Sequence, residues 1–221
     1  MKGQTQAVTA VLITSVVVGS VATAYVWGTP ILEKRQSKAD LSNVESQAFN
    51  LYSKVLEVSR SGSGTTEKIT FSGDAKQFKV HVNAQKDYID ITSSAKNPPY
   101  PIDTWSLIKG KNMQNLTFST GEYALEGEDQ PGVVAVKPAG GPGESVVVYR
   151  VEFRNMYVET PTGAKLKKID IQSQGRDRSS GETTLLISNE GTELDAGKNQ
   201  VSLSNGRRLE RTRTVVNVDI R

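Results

Sequence analysis

The sequence predicts an α+β protein, in which a long N-terminal hydrophobic helix precedes an antiparallel β-sandwich domain. A charge-free apolar run occupies residues 7–27, and an amphipathic stripe at three- and four-residue spacing extends from Leu41 to Val58. After Gly64 the apolar residues alternate with polar ones in short runs, which is typical of strands in a sandwich or barrel. We therefore predict a helix over residues 4–60 and a β-sandwich head domain over residues 65–221.

The composition excludes several classes of function. The net charge is only +3, from 27 Lys and Arg against 24 Asp and Glu, and the two signs are interspersed. The chain therefore lacks the basic patch expected of a nucleic-acid-binding protein, and no nucleic-acid partner is predicted. With no cysteine and a single histidine, His81, it has no thiol nucleophile and little basis for histidine ligands or histidine catalysis.

The apolar run has the length of a membrane span. Residues 7–27 cover about 30 Å at ~1.5 Å per helical residue, which matches the hydrocarbon thickness of a bilayer. Lys2 is the only charged side chain before Glu33. Membrane lipid is therefore an expected partner of this segment.

The second half of the predicted helix carries the stripe. Pro30 is expected to kink or interrupt the helix, because proline lacks the amide hydrogen of the helical hydrogen bond. Ser61, Gly62, Ser63 and Gly64 are expected to end it. The stripe residues, expected to pack on the head domain, are Leu41, Val44, Ala48, Leu51, Tyr52, Val55 and Val58.

Roughly ten short strands follow, separated by turn clusters. Val146–Val148 is continuously apolar, which predicts a central strand, and Asn205-Gly206 predicts a hairpin turn. Residues 139–143 are interpreted as a loop rather than as a boundary between two subdomains. The strands are predicted at residues 69–71, 78–82, 89–91, 116–118, 133–136, 145–153, 166–171, 183–187, 200–203 and 214–220.

The order of residues at the N-terminus resembles a class III signal peptide. Lys2-Gly3 precedes a polar start, Gln4-Thr5-Gln6, and an uninterrupted apolar run then begins at Ala7. This arrangement is similar to that of archaeal type IV pilins and of archaellum filament and stator subunits. Bacterial members of the family carry a glutamate as the fifth mature residue, where this chain has Val8, and this difference favours the archaeal branch.

The resemblance, which covers about the first 60 residues, implies a structural function. Residues 1–3 would be removed by a prepilin peptidase cutting between Gly3 and Gln4, and the mature helix would enter the core of a homo-oligomeric surface filament. The head domain would then form the outer, extracellular layer, and the protein would not be an enzyme. The assembly-helix residues implied are Val8, Leu12, Ile13, Val16, Val17, Val18, Gly19, Val21, Tyr25 and Trp27.

Two other interpretations of the N-terminus compete with this one. A cleaved secretory signal is disfavoured because the apolar run is long and no cleavage site precedes Pro30. A plain signal anchor would instead hold the β-sandwich at the membrane as an adhesion or binding module. In addition, Lys34, Arg35 and Lys38 follow the run, and the positive-inside rule alone would keep the head domain cytoplasmic. A filament subunit needs an export route that overrides this bias.

The head domain offers no recognisable catalytic, metal or cofactor motif, so none of these sites is predicted. His81 alternates with Val80 and Val82 and is expected on the polar face of a strand. Residues 126–129 are acidic but lack the ligand spacing of a calcium loop. The basic residues in 176–178 and 207–213 are interpreted as solvated. Asn115 begins a possible N-glycosylation sequon.

Overall fold

The computed structural model describes residues 2–72, 78–110, 124–125, 131–141, 144–160, 163–194, 200–202 and 208–221. It begins with one helix, α1, which extends from Lys2 to Arg60. Pro30 lies inside α1, and the helix continues on both sides of it because the remaining backbone hydrogen bonds maintain it. The predicted interruption therefore does not occur, and the alternative, a kink near Pro30, stays a prediction. The helix ends at the predicted position, because Ser61–Gly64 follow it and Gly64 adopts a φ of 86° that favours glycine.

Thirteen strands lie in the described part of the chain that follows. They are β1 Thr66–Phe71, β2 Lys79–Asn83, β3 Tyr88–Lys96, β4 Ser106–Lys109, β5 Ala124–Leu125, β6 Gly132–Gly140, β7 Glu144–Phe153, β8 Asn155–Thr160, β9 Gly163–Gln172, β10 Arg178–Ser180, β11 Thr183–Leu194, β12 Gln200–Ser202 and β13 Arg208–Ile220. They form two sheets. One has the order β1-β11-β13-β9-β8-β5, with β12 also paired to β13, and the other has the order β10-β2-β3-β7-β6-β4.

Most neighbouring strands are antiparallel, as predicted, but two pairs are parallel. These are β9 with β13 and β5 with β8. The first pair lies in the middle of its sheet, where β13 also pairs antiparallel with β11. Parallel neighbours need long connections, and here the intervening chain includes β10 and β11. The alternation of apolar residues does not distinguish the two directions, so the sequence did not indicate this pair.

The second half of α1 packs against strands of both sheets. It contacts β1, β11 and β13 of one sheet and β3, β6 and β7 of the other. All seven predicted stripe residues are buried, and the most exposed of them, Val44, is only 6% exposed. Tyr52 stacks on Phe153 with ring centroids 6.3 Å apart, and the Tyr149 hydroxyl donates a hydrogen bond to the Leu41 carbonyl. Helix and sheets therefore share one hydrophobic core.

The central-strand prediction is confirmed, because β7, which contains Val146–Val148, lies between β3 and β6. Residues 139–143 were interpreted as a loop, but Ala139 and Gly140 belong to β6, where Gly140 opposes Ser145 of β7. Residues 142 and 143 lie outside the described residues. The strands β4, β5, β8 and β10 were not predicted, because they are short or bear mainly polar residues. The strand predicted at 116–118 and Asn205-Gly206 lie outside the described residues.

Candidate functional site: the exposed apolar half of the helix

The first half of α1 presents large apolar side chains that nothing in the described protein covers. Each is between 54% and 75% exposed, a level expected of charged surface residues rather than of valine or tryptophan. A contiguous apolar surface of this size is unusual on a protein in water and marks a membrane or protein interaction site. The residues are Val11, Leu12, Ile13, Val16, Val17, Val18, Val21, Tyr25, Val26, Trp27, Ile31 and Leu32.

The change from exposed to buried is abrupt. Leu32 is 67% exposed, whereas Leu41, nine residues further on, is 5% exposed. Between them, the Ser37 hydroxyl donates a 2.9 Å hydrogen bond to the Lys96 carbonyl and accepts one of 3.1 Å from the Lys96 amide. The helix therefore leaves the head domain near Ser37, at the end of β3.

The exposed half has the physical properties of a membrane span. Residues 11–32 cover about 33 Å at ~1.5 Å per residue. Within α1, an 18-residue window has a mean hydropathy of 1.7, and none of it is buried inside the protein. α1 is thus long and apolar enough to cross a bilayer, and the protein has a candidate membrane anchor.

Hydroxyl groups within this segment are satisfied by the helix itself. Ser15, Ser20 and Thr23 each donate a 2.8 Å hydrogen bond to the carbonyl four residues earlier, as does Thr29. Placing a hydroxyl group in hydrocarbon without a hydrogen-bond partner costs several kcal/mol, as it does for other polar groups. These internal bonds make the polar positions of the segment compatible with an apolar environment.

One face of the exposed half of α1 includes small residues. Val11, Thr14, Ser15, Val18 and Gly19 line a shallow groove along the helix. A Cβ atom built on Gly19 would meet nothing within 4 Å. Small residues on one face let a second helix approach closely. This groove can therefore accept a helix without any rearrangement of the head domain.

The residues predicted to form the assembly helix lie in this exposed segment, which extends further along α1 than the predicted apolar run; their part in assembly stays a prediction. Leu12, Ile13, Val16–Val18, Gly19, Val21, Tyr25 and Trp27 are all exposed, as such a role requires. Gly3, Gln4 and Val8 lie on α1, although their side chains are outside the described residues, as is Asn115. Ile31 and Leu32 also belong to the exposed segment. The sequence prediction did not include them, because a kink or interruption of the helix was expected at Pro30.

The head domain contains a buried ion pair at the β2–β3 turn. Asp87 and Lys168, which are 5% and 9% exposed, form a salt bridge. The Asp87 carboxylate also accepts a 2.8 Å hydrogen bond from the Ile171 amide, and the Asp87 carbonyl accepts one from the Phe153 amide. Asp87 therefore joins β7 and β9, which belong to different sheets, and its contacts indicate a structural role.

A second ion pair lies nearby on β3 and β7. Arg150 donates two hydrogen bonds to Asp90, at 2.7 and 2.8 Å, and its guanidinium lies over the rings of Tyr88 and Trp105. Burial raises the pKa of the neighbouring Glu152 carboxyl to about 7, against the opposing effect of Arg150. The charge of the Glu152 carboxyl is therefore expected to change with pH near neutrality.

Among the residues that the structure describes, the other titratable side chains do not form a recognisable active site. His81 is half-buried and contacts the edge of the Tyr88 ring at a centroid distance of 6.2 Å. No group of three or more His, Asp or Glu side chains in the described residues is arranged to hold a metal ion. Arg211, interpreted from sequence as solvated, is 7% exposed, because β13 lies in the middle of its sheet. Residues 126–129 lie outside the described residues.

Together these features define a class of protein: a two-sheet β domain carried on a long apolar helix that can anchor it in a membrane. The architecture is consistent with that of pilin-like proteins. Comparisons with protein-family models, with curated proteins and with solved structures found no match to this chain.

Proposed function

We propose that this protein is a structural subunit of a type IV pilus-like surface filament of the archaeal kind, assembled through its N-terminal helix after cleavage following Gly3. The observation that carries the proposal is the exposed half of α1. This half is continuous with a second half that is buried in the head domain, and its own apolar surface has no cover within the described protein.

The driving force for assembly is the removal of this surface from water or lipid. Burying a valine, leucine or isoleucine side chain from water contributes roughly 1.5–3 kcal/mol. An extended apolar helix outside the bilayer is therefore stable only when other apolar surfaces cover it. A bundle of identical helices provides such cover for every copy, and head-to-tail contacts of this kind generate an open helical filament.

The groove around Gly19 supports packing between helices. Ser15 and Gly19 are separated by four residues and lie on one face, in the small-xxx-small arrangement that lets helix backbones come close. In a bilayer, lipid covers apolar surface as well as a helix does, so close packing rather than hydrophobicity favours helix association there. The same residues would act before and after assembly.

The mature N-terminus and the assembly state test the proposal. We expect purified surface material to begin at Gln4 and to form filaments visible by electron microscopy. The variant Gly3→Val should retain Met1 and form no filaments, because a β-branched residue replaces the glycine at the cleavage point. A matched variant, Thr5→Val, places the same side chain two residues beyond that glycine and should still be cleaved and assembled.

The main alternative is a membrane-anchored β-sandwich that binds or adheres without polymerising. It would retain Met1 and stay in the membrane fraction as single subunits. Detecting that combination in cells that express the prepilin peptidase would overturn the proposal. Protease accessibility of residues beyond Lys38 on intact cells provides a separate test of whether the head domain is exported.

A further inference from the structure

Of the basic residues immediately beyond the apolar half of α1, two have described side chains. Arg35 and Lys38 are exposed, and neither has an ion-pair partner among the described residues. Together with Pro30 and Ile31 they line a groove of about 380 Å³ whose surface is mainly apolar. The groove therefore combines an apolar floor with two positive charges at the end nearer the head domain.

From this arrangement we infer that Arg35 and Lys38 form a binding site for the phosphate of an anionic membrane lipid in the leaflet that faces the head domain. The inference rests on the proposed membrane-inserted stage of the protein. It assigns a binding partner, the phosphate of a lipid, to Arg35 and Lys38, for which the proposed function gives no role.

The distances along the helix agree with the layers of a bilayer. If the apolar segment ending at Leu32 fills the hydrocarbon, Arg35 lies about 4.5 Å and Lys38 about 9 Å further along the axis. The headgroup region of one leaflet is roughly 5–8 Å thick. Both backbone positions therefore fall at or just beyond the phosphate layer.

The direction of the helix strengthens this placement. In an α-helix the Cα–Cβ bond tilts toward the N-terminus, which for α1 is the membrane side. Long basic side chains near the end of a span extend their charge to the headgroups. Arg35 and Lys38 thus reach back toward the phosphates instead of away from them.

The apolar part of the groove can bind an acyl chain of the same lipid. Trp27, Ile31 and Arg35 follow each other at four-residue spacing and so lie in one row on the helix surface. Trp27 is 75% exposed and Ile31 is 55% exposed. A lipid whose phosphate binds Arg35 and Lys38 would place an acyl chain along Ile31 and Trp27. The bonds between Ser37 and Lys96 hold this row in a constant orientation relative to the head domain.

Trp27 is a natural reporter for the site, because the chain has only two tryptophans. The full-length protein with Trp105→Phe is reconstituted in mixed bilayers in which either phosphatidylglycerol or phosphatidylcholine carries brominated acyl chains. Bromine quenches tryptophan fluorescence on contact, so the ratio of the two quenching efficiencies measures lipid preference at Trp27. We expect the anionic lipid to quench more strongly at equal mole fraction.

Replacing both basic residues, Arg35→Gln with Lys38→Gln, should reduce the preference for phosphatidylglycerol at least about fivefold, since each basic side chain near a membrane surface contributes about that factor. The matched control removes two exposed charges elsewhere, Lys79→Gln with Lys86→Gln, and should leave the preference unchanged. A reduction of less than twofold in the Arg35 and Lys38 variant would overturn the inference.

The same measurement separates this inference from the proposed function. Equal quenching by the two lipids in the parent protein overturns the phosphate site and leaves the membrane anchor intact. Absence of quenching by either lipid shows that Trp27 is outside the bilayer, which overturns the membrane-inserted precursor as well.

Discussion

The side-chain amide of Asn189 donates a 2.9 Å hydrogen bond to the main-chain carbonyl of Val58, in the last turn of α1. The same amide nitrogen donates to the Ser61 carbonyl at 2.7 Å, and its oxygen accepts the Gly191 amide hydrogen. The last carbonyls of a helix have no partner within it, and here β11 provides one. The register shift between Asn189 and Gly191 lies at this point of the strand. Asn189 thus fastens the end of the helix to the sheet.

Asn189→Ala is expected to destabilise the head domain by about 2 kcal/mol, because it removes the amide hydrogen bonds to the Val58 and Ser61 carbonyls and the bond from the Gly191 amide. Asn189 is 3% exposed, so water does not readily replace the lost amide. Urea unfolding, with the slope held common between variants, measures the change. Ser188→Ala is the control, since the Ser188 hydroxyl bonds only to the exposed Glu190 carboxylate among the described residues, and its effect should stay below about 0.5 kcal/mol. Equal effects of the two variants would contradict the assigned role.

Asp87→Asn should also destabilise the domain, by about 3 kcal/mol, because it removes the negative charge of a carboxylate that forms a buried ion pair with Lys168. Asp87 has a φ of 54°, a conformation that asparagine tolerates well, so the substitution changes the charge without straining the backbone. Asp103 provides a matched control, because its φ is 57° and its side chain is exposed. Thermal unfolding should show little change for Asp103→Asn. A similar loss in both variants would assign the effect to the turn conformation instead of the ion pair.

Glu152 should make the stability of the domain depend on pH. Its folded-state pKa of about 7 lies above the ordinary value of 4.5, so its contribution is fully present below pH 4.5 and is lost as pH rises through 7. Glu152→Gln does not titrate, and its stability relative to the parent should therefore rise by about 2 kcal/mol between pH 5 and pH 8. Denaturant unfolding at both pH values measures the difference. Glu182→Gln, at an exposed position, should show no such rise, and a pH-independent effect of Glu152→Gln would refute the prediction.

Gly19→Leu should impair filament formation while leaving the head domain folded. A Cβ atom added at Gly19 meets nothing within 4 Å in the protein, so we expect the effect to come from a neighbouring helix. Close helix approach would be blocked, and we expect the amount of filament to fall at least about tenfold, corresponding to 1.4 kcal/mol or more per contact. Ala24→Leu adds bulk on the opposite side of the helix and should have the smaller effect. Filament yield by sedimentation and electron microscopy, with circular dichroism of the subunit, distinguishes assembly from folding.

The elements that local patterning specifies were predictable. The spacing of apolar residues shows which side of a helix or strand is apolar. This holds for the apolar run, for the stripe from Leu41 to Val58 and for the alternating strands, and the stripe and the strands are buried on their apolar sides. The end of α1 was predictable for the same reason, since Gly62 and Gly64 interrupt helical propensity locally. The exposed apolar segment that forms the candidate site was therefore identified from sequence, apart from its extension to Leu32.

Tertiary packing was needed wherever residues distant in the chain act together. The parallel pairing of β9 with β13, the bond from Asn189 to Val58 and the ion pair of Asp87 with Lys168 all join segments separated by long stretches of chain. Their energies arise from burial and from partner geometry, which exist only after the sheets and helix have come together. The periodicity of apolar residues within one segment does not indicate these contacts between distant segments.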